Sequence, residues 1–252
     1  MTRFNTLVIG DLHGKNFWRH LIWKEEHLNK KPFKKIIFLG DYVDCFYTPN
    51  EVQRQNLLDL IEFKKQNPYR VILLWGNHDI HYLFPQYKCS GYSQTRYNLF
   101  HPIYKENELL FQVAYEGMSD GKTVLFTHAG ISKKWLALPK IEEAFNFFKE
   151  FDHEGLAEIL NGMFGSRYMN ELMMVGPMRG GSDDYAGPIW ADKYETCFEI
   201  PDNLIQYVGH TPVDPETRAT SYTNSERINS IFYCDTLDFS LDVCLLNLDL
   251  NK

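Results

Sequence analysis

Three short apolar runs in the first third of the chain end in the same kind of chemistry. TLVIG (6–10) leads to Asp11 and His13, IIFLG (36–40) to Asp41 and Asp44, and ILLWG (72–76) to Asn77, His78 and Asp79. Two later runs each release an imidazole, His128 after VLFT and His210 after LIQYVG. Carboxylates, a carboxamide and imidazoles without thiolates suit borderline or hard divalent cations such as Mn, Fe or Zn. Asp11, His13, Asp41, Asn77, His128 and His210 are too many donors for one catalytic ion that keeps open positions, so the pattern implies two ions. A pair about 3.5–4 Å apart can share a carboxylate and a hydroxide, lower the pKa of that water and clamp the attacking and leaving oxygens of a displacement at phosphorus. The implied reaction is phosphoester hydrolysis.

Each piece has a plainer reading on its own. Gly and Asp are ordinary turn residues, and a lone buried histidine is more often a satisfied imidazole than a ligand. Five matched strand ends in order argue against that reading here. His20, His27, His101 and His153 keep it, and His81, just after the NHD stretch, is open to either.

The elements that must position these groups follow from periodicity. The apolar runs, together with SIFYCD and VCLLNL near the end, read as strands. Charge-rich amphipathic stretches from Asn16 to Lys30 and from Glu51 to Gln66 read as crossover helices, so the first half is βαβαβ. In such α/β arrangements the loops at the carboxyl ends of strands converge on one crevice. Tyr82 to Tyr115 and Lys133 to Pro188 read as excursions that could cap the site, with a helix from Ile141 to Leu160 whose Phe145, Phe148 and Phe151 complete the core.

Composition narrows the class. A chain of 252 residues without repeats or low-complexity tracts fits one compact domain spanning 1–252. A formal net charge of −7 disfavours nucleic acid and anionic membrane surfaces as partners. Five scattered cysteines (45, 89, 197, 234 and 244) fit reduced thiols, and no apolar run has the length of a signal-peptide core or a membrane span. A soluble cytoplasmic protein is expected. The sequence carries no signal for oligomeric state.

With these residues in view, the chain resembles the calcineurin-like metallophosphoesterase superfamily, whose motifs stand here as GDLHG, GDYVD, GNHD, THAG and GHTP, from near residue 10 to near residue 212. Many members end in G-H-x-H, whereas Thr211 and Pro212 follow His210. That ending, and YCDTLDFSLDVCLLNL at 233–248, look more like the phosphoprotein-phosphatase branch, with its bacterial and phage serine/threonine phosphatases and symmetrical diadenosine tetraphosphatases. The resemblance implies an α/β fold, a β-sandwich of two mixed sheets flanked by helices. It implies that Asp11 and His13 hold the first ion, that Asp41 bridges, and that Asn77, His128 and His210 complete the second, with Asn77 also facing substrate. A hydroxide bridging the ions would be the nucleophile, His78 the general acid and Asp44 the carboxylate that orients it. Manganese is the first choice for both ions, with iron or zinc as alternatives.

Departures from the branch bear on substrate. Its usual arginines after G-D-x-V-D and before G-N-H are replaced by Cys45 and Trp75, and Asp79 stands where Glu is usual. Losing both guanidiniums removes much of the expected anchor for a phosphomonoester dianion. Arg179, between glycines in VGPMRGGSDDYAGPIWAD, is the replacement candidate; Arg96 and Arg167 are weaker ones. Trp75, Tyr92 and Tyr185 could stack on a nucleobase. The expected activity is phosphomonoester hydrolysis of a phosphorylated protein or small molecule, serine/threonine-phosphatase-like. The alternatives are a nucleotide polyphosphate hydrolase or phosphodiesterase and, from another class, a catalytically silent interaction scaffold.

Overall fold

The computed structural model describes residues 4–213, 222–223, 230–237 and 243–250. Residues 238–242 of the closing segment lie outside the described residues. The first half runs β1 (Thr6–Ile9), α1 (Trp18–Asn29), β2 (Lys35–Phe38), α2 (Asn50–Gln66), β3 (Val71–Leu74) and α3 (Asn77–Leu83), the expected βαβαβ order followed by a short helix. Next come α4 (Gln94–Asn107), β4 (Phe111–Gln112), β5 (Ala114–Ser119) and β6 (Lys122–Thr127). The second excursion holds α5 (Lys133–Leu136), α6 (Pro139–Lys149), α7 (Leu156–Met163), α8 (Met169–Leu172) and α9 (Lys193–Thr196). The chain closes with β7 (Leu204–Val208), β8 (Tyr222–Thr223), β9 (Ser230–Tyr233) and β10 (Cys244–Leu246).

Among the described residues two mixed five-stranded sheets result, ordered β10-β1-β2-β3-β4 and β5-β6-β7-β9-β8. β1 to β4 are parallel with β10 antiparallel at one edge, while β6, β7 and β9 are parallel between antiparallel β5 and β8. The period of two explains the layering. Val8, Ile37, Leu39, Ile72 and Leu74 face Val124, Phe126 and Tyr207 of the other sheet. Their neighbours Leu7, Ile9, Ile36, Phe38 and Leu73 point the other way, into the helix-side core with Trp18, Leu57 and Leu60. Strands covered on both faces read as unbroken apolar runs, which is why they stood out in the sequence.

The excursions differ from expectation in three places. The helix expected from Ile141 to Leu160 is broken between α6 and α7, where Asp152 takes a left-handed backbone (φ 64°) and Gly155 starts the next helix. Phe148 is buried and Phe145 partly so, but Phe151, just past α6, is 62% exposed. β4 and the start of β5 lie inside the stretch read as an excursion.

Trp75 is a core residue, not a base-stacking one. It is 1% exposed and packs on Phe111, Tyr104 and Phe164 at centroid distances of 4.5, 5.5 and 5.6 Å. This position, where the branch usually has an arginine, therefore carries packing energy. Trp75→Ala should lower unfolding free energy in urea by about 3–5 kcal/mol; a loss well under about 1 kcal/mol would contradict the core placement.

Candidate metal centre

The candidate ligands leave the sheets through an unusual backbone. His13, Asp41, Asp44 and His210 all sit at positive φ (41°, 52°, 71° and 64°), a region that costs a non-glycine residue of order 1–3 kcal/mol and is tolerated where the surroundings over-determine it. Two glycines let the loops close. A Cβ on Gly76 would lie 2.1 Å from Asp41 Oδ1, and one on Gly209 would lie 2.1 Å from Asp11 Oδ1. Gly76 and Gly209 are thus steric requirements of the carboxylates they face, while Gly10 and Gly40 clear the Cys234 carbonyl and the Gly76 backbone.

All six candidate ligands come together, and they do so as two overlapping groups. Asp11, His13 and Asp41 offer donor atoms within 4.8 Å of one another, and so do Asp41, His128 and His210. Asp41 Oδ2 lies 3.8 Å from His13 Nε2 and 3.4 Å from His128 Nε2, so one carboxylate faces both groups. Asn77 Oδ1 and His210 Nδ1 lie 3.0 and 3.1 Å from His128 Nε2. The outer nitrogens are tied to carbonyls: His13 Nδ1 to Val43 at 3.0 Å and His128 Nδ1 to Leu39 at 2.7 Å. An imidazole that donates Nδ1–H to a carbonyl presents its Nε2 lone pair inward, the usual device for orienting a metal ligand. Backbone N–H groups complete the frame, from His210 to both Asp11 oxygens and from His78 to Asp41 Oδ1.

These residues fit divalent ions. Asp11 and Asp41 are 1% and 2% exposed, and such buried carboxylates need cationic partners. Burial, the nearby Asp235 and Asp41 push Asp11 well above the usual carboxylate range. Against burial, the charges of His128 and His78 hold Asp41 well below it. His128, opposed by burial but drawn by Asp41 and Asp11, is pushed up to about 9, while burial and His128 push His210 well down. The charge of His128 thus compensates Asp41 while Asp11 is shifted toward its neutral form, and a divalent cation would stabilise both carboxylates in their ionised forms. Asp11, His13 and Asp41 would hold one ion, and Asp41, Asn77, His128 and His210 the other.

Beside this centre stands the candidate general acid. His78 Nδ1 lies 3.0 Å from Asp44 Oδ2, and the His78 ring meets His13 edge-on at 5.2 Å. Although burial opposes it, Asp41 and Asp44 raise His78 well above the ordinary histidine value, a shift toward the protonated form a general acid needs. Asp44 also accepts from the Tyr82 hydroxyl at 2.5 Å and from Arg96 Nη1 at 3.1 Å, and His81 Nε2 lies 2.9 Å from it. Against its burial, the hydrogen bonds from His78, His81 and Tyr82 bring Asp44 down to about 2.

Two participants were given no role from the sequence, His81, left open to either reading, and Cys89. His81 is fully buried, reaching Asp44 with Nε2 and the Cys89 sulfur with Nδ1 at 3.1 Å. Cys89 lies 3.8 Å from His78 Nδ1 and 3.6 Å from Asn77 Nδ2. The HxxH spacing of His78 and His81 hinted at His81, but nothing local links Cys89 to it.

Arg96 reaches the space beside Asp44 that Cys45 leaves, yet its guanidinium turns inward. Nη1 also donates to Gly91 O at 3.2 Å, Nη2 to Cys45 O at 2.8 Å and Nε to Asn50 Oδ1 at 3.0 Å. It is a clamp on the Asp44 loop. Arg167 lies over Phe147 and Tyr168, on the far excursion. Arg179 instead borders the site: Nη2 donates to Thr211 Oγ1 at 2.6 Å, next to His210, and Nε pairs with Asp192 at 2.8 Å. With Lys88, Cys89 and Trp190 it lines a cavity of about 510 Å³ where the two excursions meet. Trp190 stands edge-on to His210 at 5.7 Å. Tyr92 packs on His81 and Tyr82, while Tyr185 sits under Lys134.

A sequence profile described as calcineurin-like phosphoesterase matches residues 4–214. A protein of Schizosaccharomyces pombe (strain 972 / ATCC 24843), named as a candidate serine/threonine-protein phosphatase, is 28% identical over 148 residues, 59% of this chain and 46% of that protein. The match thus spans less than half of that relative's length. The cold-active protein-tyrosine phosphatase of a psychrophile, Shewanella sp., superposes with a TM-score of 0.56 at 17% identity, covering 98% of this chain and 76% of that one. A point mutant of a cold-active protein tyrosine phosphatase gives 0.55 at 15% identity with the same coverage. At these identities the structural likeness is one of fold.

The depressed Asp44 links the site to stability. A carboxylate with a lowered folded-state pKa stabilises above its unfolded value and loses that contribution as pH falls through the folded value. In the ion-free protein, Asp44→Asn should therefore cost about 2–3 kcal/mol at neutral pH, with the gap from wild type closing between about pH 4 and pH 2. Urea midpoints across that range test it, and a gap independent of pH would contradict the ionised, hydrogen-bonded Asp44.

Proposed function

The chain belongs to the calcineurin-like phosphoesterase family, and from that premise we propose that it is a metal-dependent phosphomonoesterase of the serine/threonine-phosphatase kind. The observation that carries this reading is Asp41, one buried carboxylate facing two ligand groups, with the His78–Asp44 pair alongside. The name of the yeast relative supports the phosphatase assignment.

Two divalent ions, manganese first among them, would supply Lewis acidity at the phosphoryl oxygens and an activated water. The chain's own residues do the rest. His78, shifted toward its protonated form by Asp41 and Asp44, presents a proton to the leaving alkoxide, and Asp44 fixes the ring through Nδ1. Arg179, positioned by Asp192 and Thr211, offers the guanidinium that Cys45 and Trp75 no longer supply. The substrate is a phosphorylated protein or small molecule, and five scattered cysteines without a paired spacing favour a reducing, cytoplasmic setting.

A second reading rests on one observation. The cavity beside Arg179 shares Tyr87 and Met173 with another of about 490 Å³, lined by Leu138, Ile141 and Met174. An annex of that size, which Lys140, Asn170, Glu171 and Asp183 also line, has room for a bulky leaving group, which favours a nucleotide polyphosphate or a diester as the alternative substrate. Parallel assays with p-nitrophenyl phosphate, its bis ester and diadenosine tetraphosphate, with and without manganese, separate the readings. Preference for the monoester supports the first, preference for either of the others supports the second, and no turnover after metal loading favours the scaffold.

Two variants test the roles. His78→Asn should retain metal but lower kcat by roughly 10²–10⁴-fold; wild-type turnover would remove His78 from the proton transfer. Arg179→Ala should keep its metal and lose about 10–100-fold in kcat/KM, the value of a charge-assisted hydrogen bond to phosphate. Unchanged kinetics would return Arg179 to a structural pairing with Asp192.

A further inference from the structure

Cys234 and Cys244 meet at the seam of the sandwich. Cys234 directly follows β9 in the second sheet, and Cys244 opens β10 at the edge of the first. Their sulfurs lie 3.2 Å apart, in the apolar layer between the sheets with Val8, Tyr207 and Leu246. A disulfide needs about 2.05 Å between sulfurs, so an approach of little more than ~1 Å would join them. In this structure the contact is a hydrogen bond from the Cys234 thiol to the Cys244 sulfur.

We propose that Cys234 and Cys244 form a modification site, a dithiol that a hydroperoxide oxidises to a disulfide stapling one sheet to the other. Cys244 is the more exposed of the two, at 8% against 1% for Cys234, and β10 is a three-residue edge strand, so local opening brings it to solvent first. Its sulfur attacks the peroxide oxygen, the O–O bond breaks, and a sulfenic acid and an alcohol (water from hydrogen peroxide) result. The Cys234 sulfur then attacks the sulfenic sulfur, the S–S bond forms, the S–O bond breaks and water leaves. Two thiols lose two electrons and two protons, and the peroxide takes up both.

The position gives the bond a consequence. The turn that begins at Cys234 backs the metal-site loops: a Cβ on Gly10 would strike the Cys234 carbonyl at 2.2 Å, and Val213 N–H donates to Asp235 O at 2.9 Å. Tying Cys234 to β10 therefore restrains the turn against which the loops of Asp11 and His210 rest. Closure across this short loop also removes chain entropy from the unfolded state.

The test uses the reduced full chain, titrated with hydrogen peroxide, denatured, alkylated and mapped by mass spectrometry, with melting followed in parallel. The expected result is a linked Cys234–Cys244 peptide pair and a melting temperature about 5–10 °C above the reduced protein. Cys244→Ala should show neither the link nor the rise. The proposal fails if both cysteines stay alkylatable while other thiols oxidise, if either pairs with a different cysteine, or if the linked protein melts no higher than the reduced one. Wild-type mapping and melting decide the matter even where the variant folds poorly, and none of these readouts depends on the phosphatase assignment.

Discussion

One buried carboxylate joins the two loops on which the centre depends. Asp79 Oδ2 accepts from the backbone N–H of Asp41 at 2.7 Å and of Gly76 at 3.0 Å, while Oδ1 accepts from Tyr42 N–H at 3.0 Å and the Tyr104 hydroxyl at 2.5 Å. The loop after β2 is thereby fastened to the start of α3, and Asp41 is held in its left-handed backbone with its carboxylate toward Asn77 and His128. Burial and the charge of Asp41 raise Asp79 to about 7, so the fastening and the bridging ligand share one electrostatic environment. The shorter Asp, where the branch usually carries Glu, reaches these N–H groups from the first turn of α3. Tyr104 joins it from α4, which makes the first excursion part of the scaffold as well as a wall of the cavity.

The charges around this fastening sort into two sets with different tasks. Asp11 and Asp41 lie buried among His13, His128 and His210, an arrangement whose protonation balance invites cations. Asp44, a few ångströms away, is saturated by neutral and cationic donors and stays ionised without an ion of its own. Two carboxylates on one loop thus acquire different surroundings, one turned to the candidate metal ligands and one to His78. Arg96 belongs to the second set. It compensates Asp44 and closes the Asp44–Cys45 loop, whereas Arg179 on the opposite excursion lines the cavity.

The sandwich and the ligand groups were legible because each rests on a local signal. Strands covered on both faces give unbroken apolar runs, and glycines that clear a carboxylate must follow them directly, so the order run, glycine, ligand survives in one dimension. The partners of Asp44 were not legible in that way. Tyr82, His81, Arg96 and, through His81, Cys89 are brought to it by the packing of α3, α4 and the turn between them, which no spacing rule encodes. Trp75 misled for a related reason: the end of a strand can point to the site or to the core, and here its ring lies among Phe111, Tyr104 and Phe164. The break between α6 and α7 carried its own marks, Asp152 and Gly155, which the apolar periodicity on either side outweighed.

The central claim is that Asp41 is shared by two ions, and metal content measures it most directly. Mass-spectrometric metal analysis of the manganese-loaded protein, beside Asp41→Asn with its fold checked by circular dichroism, should find roughly two ions per wild-type chain and well under one in the variant. A wild-type chain that saturates at a single ion, or a folded Asp41→Asn that still holds a pair, would contradict the account.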